Sequence, residues 1–165
     1  MKKLRGVLIA LLSVALILCG CERDRRSAEE LLCEVCSSLS MPAGRIYLSG
    51  AEEGSENFLD IETAKALYGA DAESVLALVE DFAIYVSAKA SPCEAAVFRC
   101  YSASDTDTVA ALCLERVDVI RILLKDIGAA KLAEGAQVAI CGDCVFLLIA
   151  EDTEAAKKAI RRVSG

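Results

Sequence analysis

The sequence predicts an α+β fold in which an antiparallel sheet carries its helices packed on one face. Three features of the 165-residue chain lead there. Apolar residues alternate with period two in two pairs of segments, as half-buried strands require. Stripes of period 3.6 follow each pair, as amphipathic helices require. Turn residues sit within each pair, so the paired strands run antiparallel. The predicted order is an N-terminal helix followed by strand-strand-helix, twice.

Residues 1–20 come first and read as an export signal. Basic Lys2, Lys3 and Arg5 precede an uncharged apolar stretch over 7–18, which ends at Leu18-Cys19-Gly20-Cys21. The charge-free run over 6–21 is shorter than the ~18 to 20 apolar residues that cross a bilayer core. Leu18 and Gly20 stand where a bacterial lipobox has its branched apolar and small residues, and that resemblance implies lipid on Cys21. Cys19 departs from the usual small residue at its position. Residues 21–26, with Glu22-Arg23-Asp24-Arg25-Arg26, form a short charged tether. Residues 27–165 then form a single domain, since removing 20 of 165 residues leaves 145, enough for one core.

Ser27-Ala28-Glu29-Glu30 matches a capping box. With Leu31, Leu32, Val35 and Leu39 at helical spacing, it predicts a helix over 27–40. Met41-Pro42-Ala43-Gly44 stops it, and 45–48 is a short strand. Between Glu52 and Asp81 lie nine acidic residues against one basic residue, Lys65; inside this stretch 61–68 reads as a helix ended by Gly69. From Phe82 the pattern alternates, Phe82, Ile84 and Val86 pointing one way and Ala83, Tyr85 and Ser87 the other. Ala90-Ser91-Pro92 turns the chain. A second strand follows over 95–101, with Ala96, Phe98 and Cys100 opposite Val97, Arg99 and Tyr101.

Ser104-Asp105-Thr106-Asp107 caps a long helix. Its stripe of Val109, Cys113, Val117, Ile120, Leu124 and Ile127 is buried, and its Glu115, Asp118, Arg121 and Lys125 are wet. Gly128 ends it, and a link of small residues follows. Strands over 137–141 and 144–150 flank the tight turn Gly142-Asp143. Residues 145–150 are apolar on both faces, which places that strand in the middle of the sheet. Asp152 and Thr153 start a last helix reaching Val163, with Lys157, Lys158, Arg161 and Arg162 outside.

Charge and composition exclude several functions. Beyond residue 20 the chain has 15 basic and 25 acidic residues, a net charge of −10. Such a body is a poor partner for nucleic acid, which demands clustered Lys and Arg. With no His, Ser-His and Cys-His nucleophile pairs and His-ligated metals are absent. With no Trp and few aromatics, there is no base-stacking or sugar-stacking platform.

Tyr68-Gly69-Ala70-Asp71, Ala83-Ile84-Tyr85-Val86-Ser87, Glu94-Ala95-Ala96-Val97-Phe98 and the Gly142-Asp143 hairpin, in this order behind a lipobox, resemble the bacterial lipoprotein family catalogued as domain of unknown function 4358. The resemblance covers about residues 27–163 and is sharpest over 68–98. It implies export and lipidation and supplies no catalytic residue. The many cysteines depart from the family pattern, and Cys144 stands where an aromatic is expected.

The cysteines are the one set that suggests chemistry. Cys33, Cys36, Cys141 and Cys144 form two Cys-x-x-Cys pairs and offer the four thiolates of a structural zinc. The alternative is that small apolar cysteines fill Ala-like core positions. A thiol-redox pair belongs at a helix start after a strand, whereas Cys33 lies within a helix and Cys141 in a hairpin. With Cys21 lipidated, the seven other mature cysteines are an odd number, and no bridge is assigned. Glu52, Glu53 and Glu56, or Asp71 and Glu73, lack the alternating ligands and central Gly of a calcium loop and read as solvated surface. The sequence therefore predicts an exported, membrane-anchored lipoprotein, extracytoplasmic and without a cofactor, working as a non-enzymatic binding or envelope-associated module. Its partners are the membrane, through the lipid, and a protein or small-molecule ligand. A cysteine-based zinc or thiol-redox domain is the second reading. If one sheet face is bare, Tyr85, Arg99 and Tyr101 are its outward binding candidates.

Overall fold

The computed structural model describes residues 26–88, 91–125 and 130–164. The signal segment, the Cys21 lipidation site, tether residues 21–25, Ala90 of the first turn, and Ile127 and Gly128 at the predicted end of the long helix lie outside the described residues.

The helices are α1 (Ala28–Ser37), α2 (Ile61–Tyr68), α3 (Ala72–Leu76), α4 (Thr106–Leu123), α5 (Ala130–Glu134) and α6 (Thr153–Ser164). The strands are β1 (Gly44–Leu48), β2 (Val79–Ser87), β3 (Glu94–Cys100), β4 (Gln137–Cys141) and β5 (Cys144–Ile149). The strands form one sheet in the order β1-β2-β3-β5-β4, every neighbouring pair antiparallel. This is the α+β architecture the alternation and stripes predict. Among the described residues, no helix is long and apolar enough to cross a membrane.

The expectation of helices on one face is corrected: both faces are covered. Ile84, Ala96, Phe98, Val145, Leu147 and Ile149 project to one side, where α2 to α5 bury them. Ala83, Tyr85, Ala95, Val97, Phe146 and Leu148 project to the other, under α1 and α6. The reason lies in β3 and β5, whose residues are all buried. A strand apolar on both sides stays dry only when both sides are covered. The first and last helices therefore share one face, and the middle helices the other.

Local chemistry sets the element ends. Ser27 and Glu30 complete the capping box of α1. The helix ends at Ser37, short of the predicted 40, because the Ser37 and Ser38 hydroxyls take the carbonyls of Glu34 and Val35. Asp60 caps α2 through the Thr63 amide, and Gly69, at φ 89°, releases the chain at its far end. A register shift between Val79 and Asp81 places a bulge at the start of β2. The bulge leaves the Asp81 carboxylate to accept from the Ala28 amide at 2.7 Å and the Ser49 hydroxyl at 2.6 Å, tying α1 and the end of β1 to the sheet. Arg26 joins the two ends of the domain: its guanidinium meets Glu34 at 2.6 Å and the Val163 carbonyl at 2.8 Å.

Candidate functional site

The one carboxylate buried inside the domain among the described residues is Glu94, the first residue of β3, which is 1% exposed. Desolvating a carboxylate is costly unless it is paired and hydrogen-bonded, and here both of its oxygens are engaged. Arg116, on α4, gives Oε2 two hydrogen bonds, from Nε at 2.9 Å and from Nη2 at 2.7 Å. The Tyr68 hydroxyl, at the end of α2, donates to Oε1 at 3.1 Å. The Tyr68 ring stands edge-on to Phe98, with centroids 5.8 Å apart. Burial, and then the Glu94 charge, push the Tyr68 hydroxyl well above its ordinary pKa, so it stays a donor. Three elements are thereby fixed on one face of the sheet.

Above this cluster a groove of about 210 Å³ opens between residues 91–93, just ahead of β3, and the last turns of α4. Pro92, Ile120, Leu123 and Leu124 give it apolar walls; Arg116, Glu94 and Ser91 give it polar ones. Leu123 is 70% exposed. Arg116 Nη1 has no acceptor among the described residues, because both bonds of this side chain leave from Nε and Nη2. Among the described residues the sole buried side-chain polar atom without a partner is Arg99 Nε, so Arg116 Nη1 keeps contact with solvent.

Sequence reasoning missed Glu94 and Arg116 as a site. A signal was present. Arg116 falls three residues after Cys113 and four before Ile120, on the buried stripe of α4, and Glu94 opens a strand that is otherwise mostly apolar. Opposite charges on two faces that must both be dry point to each other.

The predicted binding candidates are separated by the structure. Tyr85 is buried, not outward: it packs under α1, and its hydroxyl donates to the Pro42 carbonyl. Arg99 is also buried, between Asp81 and Asp143 at 4.0 Å each, and its Nη2 holds the Arg26 carbonyl. Both expectations assumed a bare sheet face, and α1 and α6 cover it. Tyr101 alone is outward, 68% exposed just past β3.

The two cysteine pairs do not meet. Cys33 and Cys36 lie on α1, with Cys36 near Tyr85, whereas Cys141 and Cys144 face each other across the Gly142-Asp143 turn at the Arg99 end of the sheet. Among the described residues no group of three Cys, Asp or Glu is placed to hold a metal ion, the Glu52 and Asp71 clusters included. No disulfide joins the described cysteines. Burial, together with Cys33, pushes the Cys36 thiol up to about 11; burial also pushes Cys144 up to about 11 and Cys113 further still. Thiols held protonated at neutral pH are weak nucleophiles.

No protein-family model, curated protein or solved structure matches the chain.

Proposed function

We propose that the chain is an exported lipoprotein, held to a membrane by lipid on Cys21, whose domain is a non-enzymatic binding module with its ligand groove between residues 91–93 and the end of α4. The observation that carries the binding reading is Arg116 Nη1, without an acceptor among the described residues, on a largely buried guanidinium beside apolar walls. Binding pockets combine a mostly apolar lining with a few placed polar groups, and this groove has that composition. The buried carboxylate supports a non-catalytic role, since Tyr68 and Arg116 occupy both oxygens of Glu94. Export and anchoring rest on the lipobox and on the resemblance of 27–163 to the lipoprotein family.

The layout suits that role. Arg26 binds at the end of the sheet where Asp81 and Arg99 lie, and the groove is at the other end, beside Ser87. β2 runs between them, about 20 Å from Asp81 to Ser87 at ~3.3 Å per residue. Cys21 and Arg26 are five residue steps apart, a reach of at most about 18 Å.

Metabolic labelling with an alkyne palmitate tests the anchor. The wild-type chain takes the label and Cys21→Ser does not; an unlabelled wild-type chain, or one recovered unprocessed in the cytosol, overturns the reading.

A further inference from the structure

We infer that the groove over Arg116 takes a small aliphatic carboxylic acid as its carboxylate. This deepens the binding-module reading and rests on it. The charge is set by what the groove leaves unsatisfied. Glu94 has both oxygens engaged, so it offers little to a cation. Arg116 Nη1 offers two N–H donors with no acceptor among the described residues. Ser91 Oγ accepts from the Cys93 amide at 3.3 Å, which leaves its own hydrogen to donate. With the Glu94 carboxylate already paired to Arg116 and Tyr68, the donors left over at Arg116 Nη1 and Ser91 Oγ favour an anion. The guanidinium edge turned away from Glu94, Nη1 with the second hydrogen of Nη2, matches the two oxygens of a carboxylate better than a point charge would.

The size and tail follow from the walls. A cavity of about 150 Å³ is enough for benzene, so 210 Å³ admits a chain of roughly six to eight heavy atoms. Pro92, Ile120, Leu123 and Leu124 present only apolar surface to that chain. Among the described residues nothing aromatic lines the groove, which favours a flexible aliphatic tail over a stacked ring. A peptide end-group has the same carboxylate, but it brings a backbone too large for the space.

The test uses the full lipidated chain in nanodiscs with hexanoate as the probe, and hexylamine and hexanol as controls of equal tail and different head. Thermal unfolding is the readout. Hexanoate at about a hundred times its Kd is expected to raise Tm by at least about 5 °C, with neither control doing so. Leu123→Glu keeps an exposed position exposed, so it folds. It sets a negative charge at the mouth and should abolish the hexanoate shift. Arg116→Lys preserves the charge opposite Glu94 while losing the fork, and should weaken hexanoate about tenfold. No shift with hexanoate, an equal shift with hexanol, or a shift unchanged in Leu123→Glu overturns the proposal. A short peptide ending in leucine that outcompetes hexanoate overturns the small-acid assignment. Palmitate labelling is read separately, so a chain that labels but ignores hexanoate retains its anchor and loses only this ligand class.

Discussion

Arg116 gives both of its bonded nitrogens to a single oxygen of Glu94, Nε at 2.9 Å and Nη2 at 2.7 Å, and leaves the other oxygen to Tyr68. Removing one member of a buried pair strands the other charge in a dry interior, and the stranded charge dominates the loss. Arg116→Met is therefore expected to cost about 3 to 5 kcal/mol in urea unfolding. The double variant Glu94→Gln with Arg116→Met, which strands no charge, should be more stable than Arg116→Met alone. Additive losses would show that the pair is not coupled.

Tyr68→Phe keeps the edge-on contact with Phe98 and deletes only the donor to Glu94. A buried acceptor that loses its donor costs about 1 to 3 kcal/mol. The loss should shrink in a Glu94→Gln background, because the amide oxygen carries less charge. An unchanged midpoint in Tyr68→Phe would remove the hydroxyl from the network.

Alkaline pH should destabilise the fold through its buried thiols. Cys113 is completely buried and its thiol is pushed far up, by burial first and then by the Glu94 charge. Above about pH 8.5 the unfolded thiol releases its proton while the folded one retains it. The unfolded state then binds fewer protons, so stability falls as pH rises, by about 1.4 kcal/mol per unit for this one group. The contribution is complete below pH 8.5 and is lost on rising through the folded value. Cys113→Ala should give a shallower fall between pH 9 and 11, measured by urea midpoints.

Gly44 lies where β1 passes closest to Tyr85. A Cβ there would stand 2.4 Å from both the Tyr85 ring and the Val86 carbonyl oxygen, and the latter, being backbone, cannot step aside. Gly44→Ala is expected to lose about 1 to 3 kcal/mol by overpacking. Gly50→Ala, with nothing within 4 Å, should stay within about 0.5 kcal/mol of wild type. Equal thermal midpoints for the two would contradict the close approach.

Local signals carried most elements. The 61–68 helix was readable because Gly69 ends it, and the β4–β5 hairpin because Gly142-Asp143 separates two apolar runs. Helices α3 and α5 were not, since each is five residues long and draws its stability from the core it covers. The second helix layer was half legible. The apolar run of 145–150 demands two dry faces, but Tyr85 and Arg99 on the neighbouring strands look like wet positions until the contacts of Tyr85 with Pro42 and of Arg99 with Arg26 are known. The site was the least legible part. Glu94 and Arg116 are 22 residues apart, on a strand and a helix whose alignment only the tertiary fold fixes.

The clasp of Arg26 on Val163 makes the domain a closed loop in space. A short glycine linker could therefore splice tail to head, with new termini opened in the exposed 52–56 segment, and such a circular permutant should fold to the same architecture. Anything fused behind the last helix would likewise emerge beside the head of the domain, leaving the far pole unobstructed.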